Sequence, residues 1–142
     1  MYKLALGFLL WSVAIVSHAQ NQVDIEVSNL KNHAGQLILL VFDKANGFPT
    51  DSDQAIYRTT ALAADDTVKL LVDHLPKGEY AFSIIHDENT NNLLDTNLLG
   101  IPKEGVCASK NAKSMFGPPS FEQAAFQLSK TPISFHLKLL YY

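Results

Sequence analysis

Residues 79–86 read EYAFSIIH. Tyr80, Phe82 and Ile84 share one side of a period-two alternation, which predicts a strand with that face in a core. The preceding HLPKG at residues 74–78 is turn chemistry, because Pro fixes its own φ and Gly accepts a positive one. Before that turn, TVKLLV at residues 67–72 reads as another strand. Further out, Val23, Ile25 and Val27 alternate with Asp24, Glu26 and Ser28. QLILLVF at residues 36–42 is a short apolar run of the kind that fills the middle of a sheet. The turn-rich NLKNHAG between these two predicts that they pair as a hairpin. Residues 56–63 are compatible with a strand or a short helix. Ile133, Phe135, Leu137 and Leu139 alternate with Ser134, His136 and Lys138 in a last strand. Ser120 with Gln123 three residues on is a helix-capping signal, although residues 120–128 also allow a strand. About seven short strands with turns between them, and at most one or two helical turns, predict a single antiparallel β-sandwich.

The chain has 142 residues, enough for one domain. Its formal net charge of -3 argues against a nucleic-acid binder held by a basic face. One cysteine excludes an internal disulfide and a four-thiolate zinc site. Cys107 reads as a small buried apolar residue rather than a nucleophile. The sequence contains no H-E-x-x-H, no G-x-S-x-G and no Gly-rich phosphate loop.

Lys3 precedes an apolar run from Leu4 to Val16, and Ser17-His18-Ala19 resembles a small-residue cleavage site. This is the three-part pattern of a secretory signal peptide, with an apolar run shorter than the about 20 residues of a membrane-spanning helix. The expectation is cleavage near Ala19, a periplasmic or secreted domain over residues 20–142, and no transmembrane segment in the mature chain.

The chemical lead is HDENTNNLLD at residues 86–95. Numbering Asp87 as one, Asp87, Asn89, Asn91 and Asp95 fall at positions one, three, five and nine, and the backbone carbonyl of Leu93 at seven. Those positions face the ion in a calcium loop, because calcium gathers many hard oxygen ligands and a tightly curled loop turns alternate residues inward. Position six calls for a positive φ, and Asn92 is among the residue types that tolerate it. Leu94 at eight is placed to anchor the loop to a core. Leu98 stands where a bidentate Glu closes a strong site, so the spacing predicts weak calcium binding, about 10⁻⁴ to 10⁻³ M, with Glu88 or Glu104 as outside candidates for the shell. The competing reading is a plain Asx-rich turn whose side chains bond their own backbone.

Three further features carry weaker expectations. His86, Asp87 and Glu104 could form a hydrolase or small-ligand site in a cleft under residues 98–119, a stretch with three Gly and three Pro and no clear periodicity. Phe116 and Phe121 flank a turn, FGPPSF, which reads as a rigid corner with both rings in the core, with a recognition surface as the alternative. A third possibility is a purely structural interaction domain, marked by an exposed apolar patch or sheet edge and no ion.

The segments LPKGEYA, HDENTNNLLD, GIPKEG and FGPPSF together resemble a bacterial secreted family of unknown function, domain of unknown function 2141, over Val23 to Tyr142. Asn92 departs from the Gly expected in many members. The resemblance implies a prealbumin-like or immunoglobulin-like sandwich. It also implies a likeness to calcium loops of bacterial surface repeats, with Asp87, Asn89, Asn91 and Asp95 as ligands, and no assigned activity. The resulting expectation is a non-enzymatic binding or envelope-associated accessory module whose partner is a protein or envelope component.

Overall fold

The computed structural model describes residues 21–142; the signal-peptide reading at residues 1–19 lies outside the described residues. Eight strands form two sheets: β1 (Val23–Ser28), β2 (Gln36–Phe42), β3 (Tyr57–Leu62), β4 (Val68–Val72), β5 (Gly78–Asp87), β6 (Gly105–Ala108), β7 (Phe126–Leu128) and β8 (Ile133–Lys138). The smaller sheet has the order β4-β1-β8. The larger runs β3-β2-β5-β6, with β7 paired to the start of β5.

The alternation expected in β1 is realised, and β4, expected as a strand, alternates as well. Val23, Ile25, Val27, Val68, Leu70 and Val72 are buried, while Lys69 and Leu71 are exposed. These residues meet Leu37, Leu39, Val41, Tyr80, Phe82 and Ile84 from the larger sheet in one shared core. Phe82, Phe126 and Phe135 pack edge-on inside it, with ring centroids 4.9–5.8 Å apart. Apolar surface removed from water supplies the driving force here, and the edge-on arrangement sets positive ring edges against negative faces.

The larger sheet is buried on its other face as well. Ile38, Leu40, Phe42, Ala81, Ile85 and Ala108 form a second cluster with Phe121 and Ala124. That cluster is covered by Phe48 and Ala55 from the β2–β3 loop and by Leu94 and Ala112 from later loops. The continuous apolar runs of β2 and β5, unlike the alternation of β1, follow from this two-sided burial.

Several expectations are corrected. β1 and β2 do not form a hairpin: β1 pairs with β4 and β8, while β2 pairs with β3 and β5, so residues 29–35 carry the chain from one sheet to the other. The sheets are not wholly antiparallel, because β8 runs parallel to β1, Val23 opposite Ile133 through Ser28 opposite Lys138. Residues 56–63 resolve as strand β3, and residues 98–119 contain β6, whose four residues GVCA are too few to show a period. Ser120 does cap one helical turn, α1 (Phe121–Ala124), through reciprocal bonds with Gln123, and β7 follows directly. Phe121 is buried, but Phe116 is 89% exposed, so only one of the two rings enters a core. No helix among the described residues is long and apolar enough to cross a membrane.

Leu39 has no exposed surface and lies between the two sheets. Leu39→Ala is expected to lower the unfolding free energy by about 2–5 kcal/mol. Leu71→Ala on the exposed side of β4 should stay within about 0.5 kcal/mol. Denaturant titration of both variants checks this, and comparable losses would contradict the assignment of faces.

Candidate functional site

The acidic loop starts inside the fold. Asp87 is the last residue of β5, paired with Gln36 at the start of β2, and has no exposed surface. Its Oδ1 accepts from the Asn91 backbone N–H at 3.1 Å, and its Oδ2 from the Asn92 backbone N–H at 2.9 Å and from Gln36 Nε2 at 2.9 Å. The carboxylate thus holds the chain in a curl as it leaves the strand. Asn92 adopts φ 65°, the positive value expected at position six, and Thr90 is also positive at 57°. Asn89 and Asn91 each form an Asx turn: Asn89 Oδ1 accepts from Asn91 N–H at 3.1 Å, and Asn91 Oδ1 from Leu93 N–H at 2.9 Å. Gly35 packs beneath the loop at φ 69°. A Cβ there would lie 2.0 Å from the Asp87 carbonyl oxygen, so only glycine fits.

The side chains of Asn89, Asn91 and Asp95 come together. Asn89 Nδ2 donates to Asp95 Oδ2 at 2.7 Å, and Asn91 Nδ2 donates to both Asp95 oxygens at 3.0 and 3.1 Å. Leu94 turns back against the outer core cluster, as its position predicts. Leu93 is exposed.

Two glutamates complete the loop in different ways. Glu104, only 4% exposed, bridges its two ends: Oε1 accepts from Glu88 N–H at 3.1 Å, and Oε2 from Asp95 N–H at 3.0 Å. Burial, the largest influence, raises its carboxyl above the usual glutamate range. The two backbone hydrogen bonds pull it down, and the Asp95 and Asp87 carboxylates push it up. Glu88 accepts from Asn32 Nδ2 through Oε2 at 3.1 Å, while its buried Oε1 has no hydrogen-bond partner. Among the described residues the ion pairs are His33–Asp66, His74–Asp73 and His136–Glu26. Among the described residues, Asp87, Asp95 and Glu104 therefore lie together with no side-chain cation in an ion pair with any of them. Among the described residues, no three His, Cys, Asp or Glu side chains are spaced to hold a metal by themselves, so a cation here would depend on amide and carbonyl oxygens as well.

His86 belongs to the scaffold. It has no exposed surface, its Nε2 lies 2.8 Å from the Ala34 carbonyl oxygen, and its Nδ1 lies 2.8 Å from the Tyr141 hydroxyl. A carbonyl only accepts, so Nε2 carries the proton and Nδ1 accepts from Tyr141. The Tyr141 oxygen in turn accepts from Lys31 N–H at 2.9 Å. Burial raises the Tyr141 phenol above its ordinary range; the Lys31 N–H lowers it, and Glu88 and Cys107 raise it further. Gly105 makes room for the Tyr141 ring, since a Cβ there would lie 2.6 Å from it. The cleft expected under residues 98–119 exists, yet His86, Asp87 and Glu104 do not line it. Cys107 faces the core between the sheets, and burial pushes its thiol up to about 12.

Gln36, Asn32 and Arg58, which donates to Asn92 Oδ1 at 3.1 Å, also support the loop. Their distance from it in sequence hides this role until the pairing of β2 with β3 and β5 is known.

A family model described as "Uncharacterized protein conserved in bacteria (DUF2141)" matches residues 25–136. The chain belongs to this bacterial family. No curated protein and no solved structure matches it.

In the unfolded chain Glu104 ionises at lower pH than in the fold, so the ionised form opposes folding. Its contribution is most favourable below the ordinary glutamate range and declines as pH rises through the folded-state value. Glu104→Gln removes this dependence. It also costs about 1–3 kcal/mol, because one amide oxygen cannot serve two N–H donors. Unfolding free energies of both proteins across acidic to neutral pH test this; equal slopes would show that Glu104 is not the group responsible.

Proposed function

We propose that this protein is an exported, non-enzymatic β-sandwich module whose 87–95 loop is stabilised by a calcium ion. The observation that carries the ion is the unpaired negative charge. Among the described residues, Asp87, Asp95 and Glu104 lie together with no ion-pair partner, Arg58 bonds the loop at Asn92 Oδ1 rather than at a carboxylate, and one buried Glu88 oxygen has no partner. Like charges at one loop repel, and a bound divalent cation removes that cost.

Asp87, Asn89, Asn91 and Asp95 would hold the ion through side-chain oxygens and Leu93 through its carbonyl. The positive φ of Asn92 and the meeting of Asn89, Asn91 and Asp95 side chains support this set. Asp87 Oδ1 and both Asx-turn oxygens each accept one bond within the loop and keep a further lone pair. Glu104 acts as a clamp, since both its oxygens are engaged by backbone N–H groups. A hard divalent cation would supply charge neutralisation here and no reaction chemistry.

The burial of His86 and Asp87 supports a non-enzymatic reading, because neither presents an atom to a substrate. Two sheets sharing one core support the sandwich, of prealbumin-like or immunoglobulin-like kind. The signal-like residues 1–19 support export to the periplasm or beyond, where an envelope component or another protein would be the partner.

Calcium at 10 mM is expected to raise the unfolding free energy by about 1–3 kcal/mol over chelator, the mass-action value for a site of about 10⁻⁴ to 10⁻³ M. Asp95→Ala should lose the increase while still folding, because Asp95 bonds through its side chain only to Asn89 and Asn91. Thermal melts with chelator, magnesium and calcium decide the matter. An unchanged melting temperature in calcium would make the loop an Asx-rich turn.

A further inference from the structure

A cavity of about 490 Å³ opens on the outer face of the larger sheet, beside β6, within the size range of small-molecule sites. Its floor includes Ser83, Ile85, Val106 and Ala108. The Ser83 hydroxyl donates to the Pro49 carbonyl, so this floor hydroxyl already has its partner. One wall is the 94–102 segment. Asn97 ties it into a tight turn, accepting from the N–H groups of Leu99 and Ile101 through Oδ1 at 2.9 and 3.0 Å. The other wall is residues 112–119, where Pro118 and Pro119 restrict the chain.

The lips of the cavity are apolar and face water. Leu98 and Leu99 stand at the tip of the first wall, fully and 84% exposed, and Met115 and Phe116 on the second are 91% and 89% exposed. Leu99 and Met115 line the opening, and with their chain neighbours Leu98 and Phe116 they expose more apolar surface than the scattered residues of an ordinary surface. The turn residues Gly100 and Gly117 have positive φ and nothing within 4 Å of a Cβ position, so neither lip is wedged in place by packing there.

Charge selects the occupant. Among the described residues that line the cavity, Lys113 carries the one charged side chain, in a chain carrying 14 acidic and 11 basic residues. Among the described residues, no carboxylate side chain lines it and Lys113 has no ion-pair partner. An apolar floor with Lys113 in its lining complements a molecule with an apolar chain and one anionic head. We propose that this cavity binds a free amphipathic monoanion of the fatty-acid type, its chain along Ile85, Val106 and Ala108 and its carboxylate at Lys113. The site is separate from the 87–95 ion loop and does not depend on it.

The test is titration of the protein with decanoate and with decyltrimethylammonium, below their micelle concentrations and in chelator. The two probes share a chain and differ in the sign of the head. The expected result is saturable one-to-one binding of decanoate, with amide NMR shifts at Leu99, Val106 and Ala108, and weaker binding of the cation. Lys113→Glu should weaken decanoate about fivefold or more, the scale of an exposed ion pair, and strengthen the cation. Leu99→Asp, at an exposed lip, should weaken both. Equal binding of the two probes irrespective of Lys113 would overturn the assignment of an anion. Shifts confined to other faces, lipid-vesicle binding without binding of the monomeric probe, or a ligand-insensitive dimer through these lips would each overturn the site.

Discussion

Strand β5 is buried on both faces from Tyr80 to Asp87, and the rest of the molecule is arranged to cover it. A strand that far from water must satisfy its backbone through neighbours and its side chains through two separate layers. β2 lies along one side of it, and β6 and β7 divide the other. The smaller sheet closes the face carrying Tyr80, Phe82 and Ile84. No second sheet closes the face of Ala81, Ser83 and Ile85. Loops and the helical turn α1 do so instead, using Phe48, Leu94, Phe121 and Ala124. Phe48 packs edge-on against both Phe42 and Phe121, at 5.4 and 6.0 Å between centroids, and joins the β2–β3 loop to α1.

This arrangement accounts for what could be read in advance. Strands with one wet face, β1, β4 and β8, announce themselves by alternation. β5 was legible because its inward residues Tyr80, Phe82 and Ile84 are much larger than Ala81 and Ser83 between them. β6 was not, because four residues cannot show a period. The separation of β1 from β2 was hidden for another reason: NLKNHAG has the composition of a hairpin turn, and composition does not say which sheet the chain enters next. The exposure of Phe116 is the same kind of failure. An aromatic residue is expected inside on average, but the Phe116 ring is 89% exposed in a segment that walls the cavity.

The loop was legible in its residue types and less so in its supports. Asp87, Asn89, Asn91 and Asp95 stand out because they fall at positions one, three, five and nine of a calcium-loop spacing. Asn92 confirms the curl by its positive φ, and Leu94 by packing inward. Glu104 was singled out as a possible ligand, but it clamps the loop by its ends. A clamp of this kind needs two N–H groups seven residues apart to point at one carboxylate, which only the folded chain displays. The Gln36 bond to Asp87 likewise follows from register between β2 and β5, a long-range property.

The loop and the cavity are joined by one short stretch of chain. Residues 87–95 curl around the Asp87 carboxylate, Leu94 inserts into the outer cluster, and residues 96–102 continue at once as a wall of the cavity. Lys103 N–H then donates to the Asp95 carbonyl at 2.9 Å, which closes the segment on itself. A segment anchored at Leu94 and clamped by Glu104 has a fixed base and a free tip. The base is where the negative charges gather, and the tip is where Leu98 and Leu99 meet water. Stiffening the base limits the positions the tip can take, because fewer backbone angles between them remain free to vary. Order at the acidic end of this segment and shape at its apolar end are therefore two properties of a single piece of backbone.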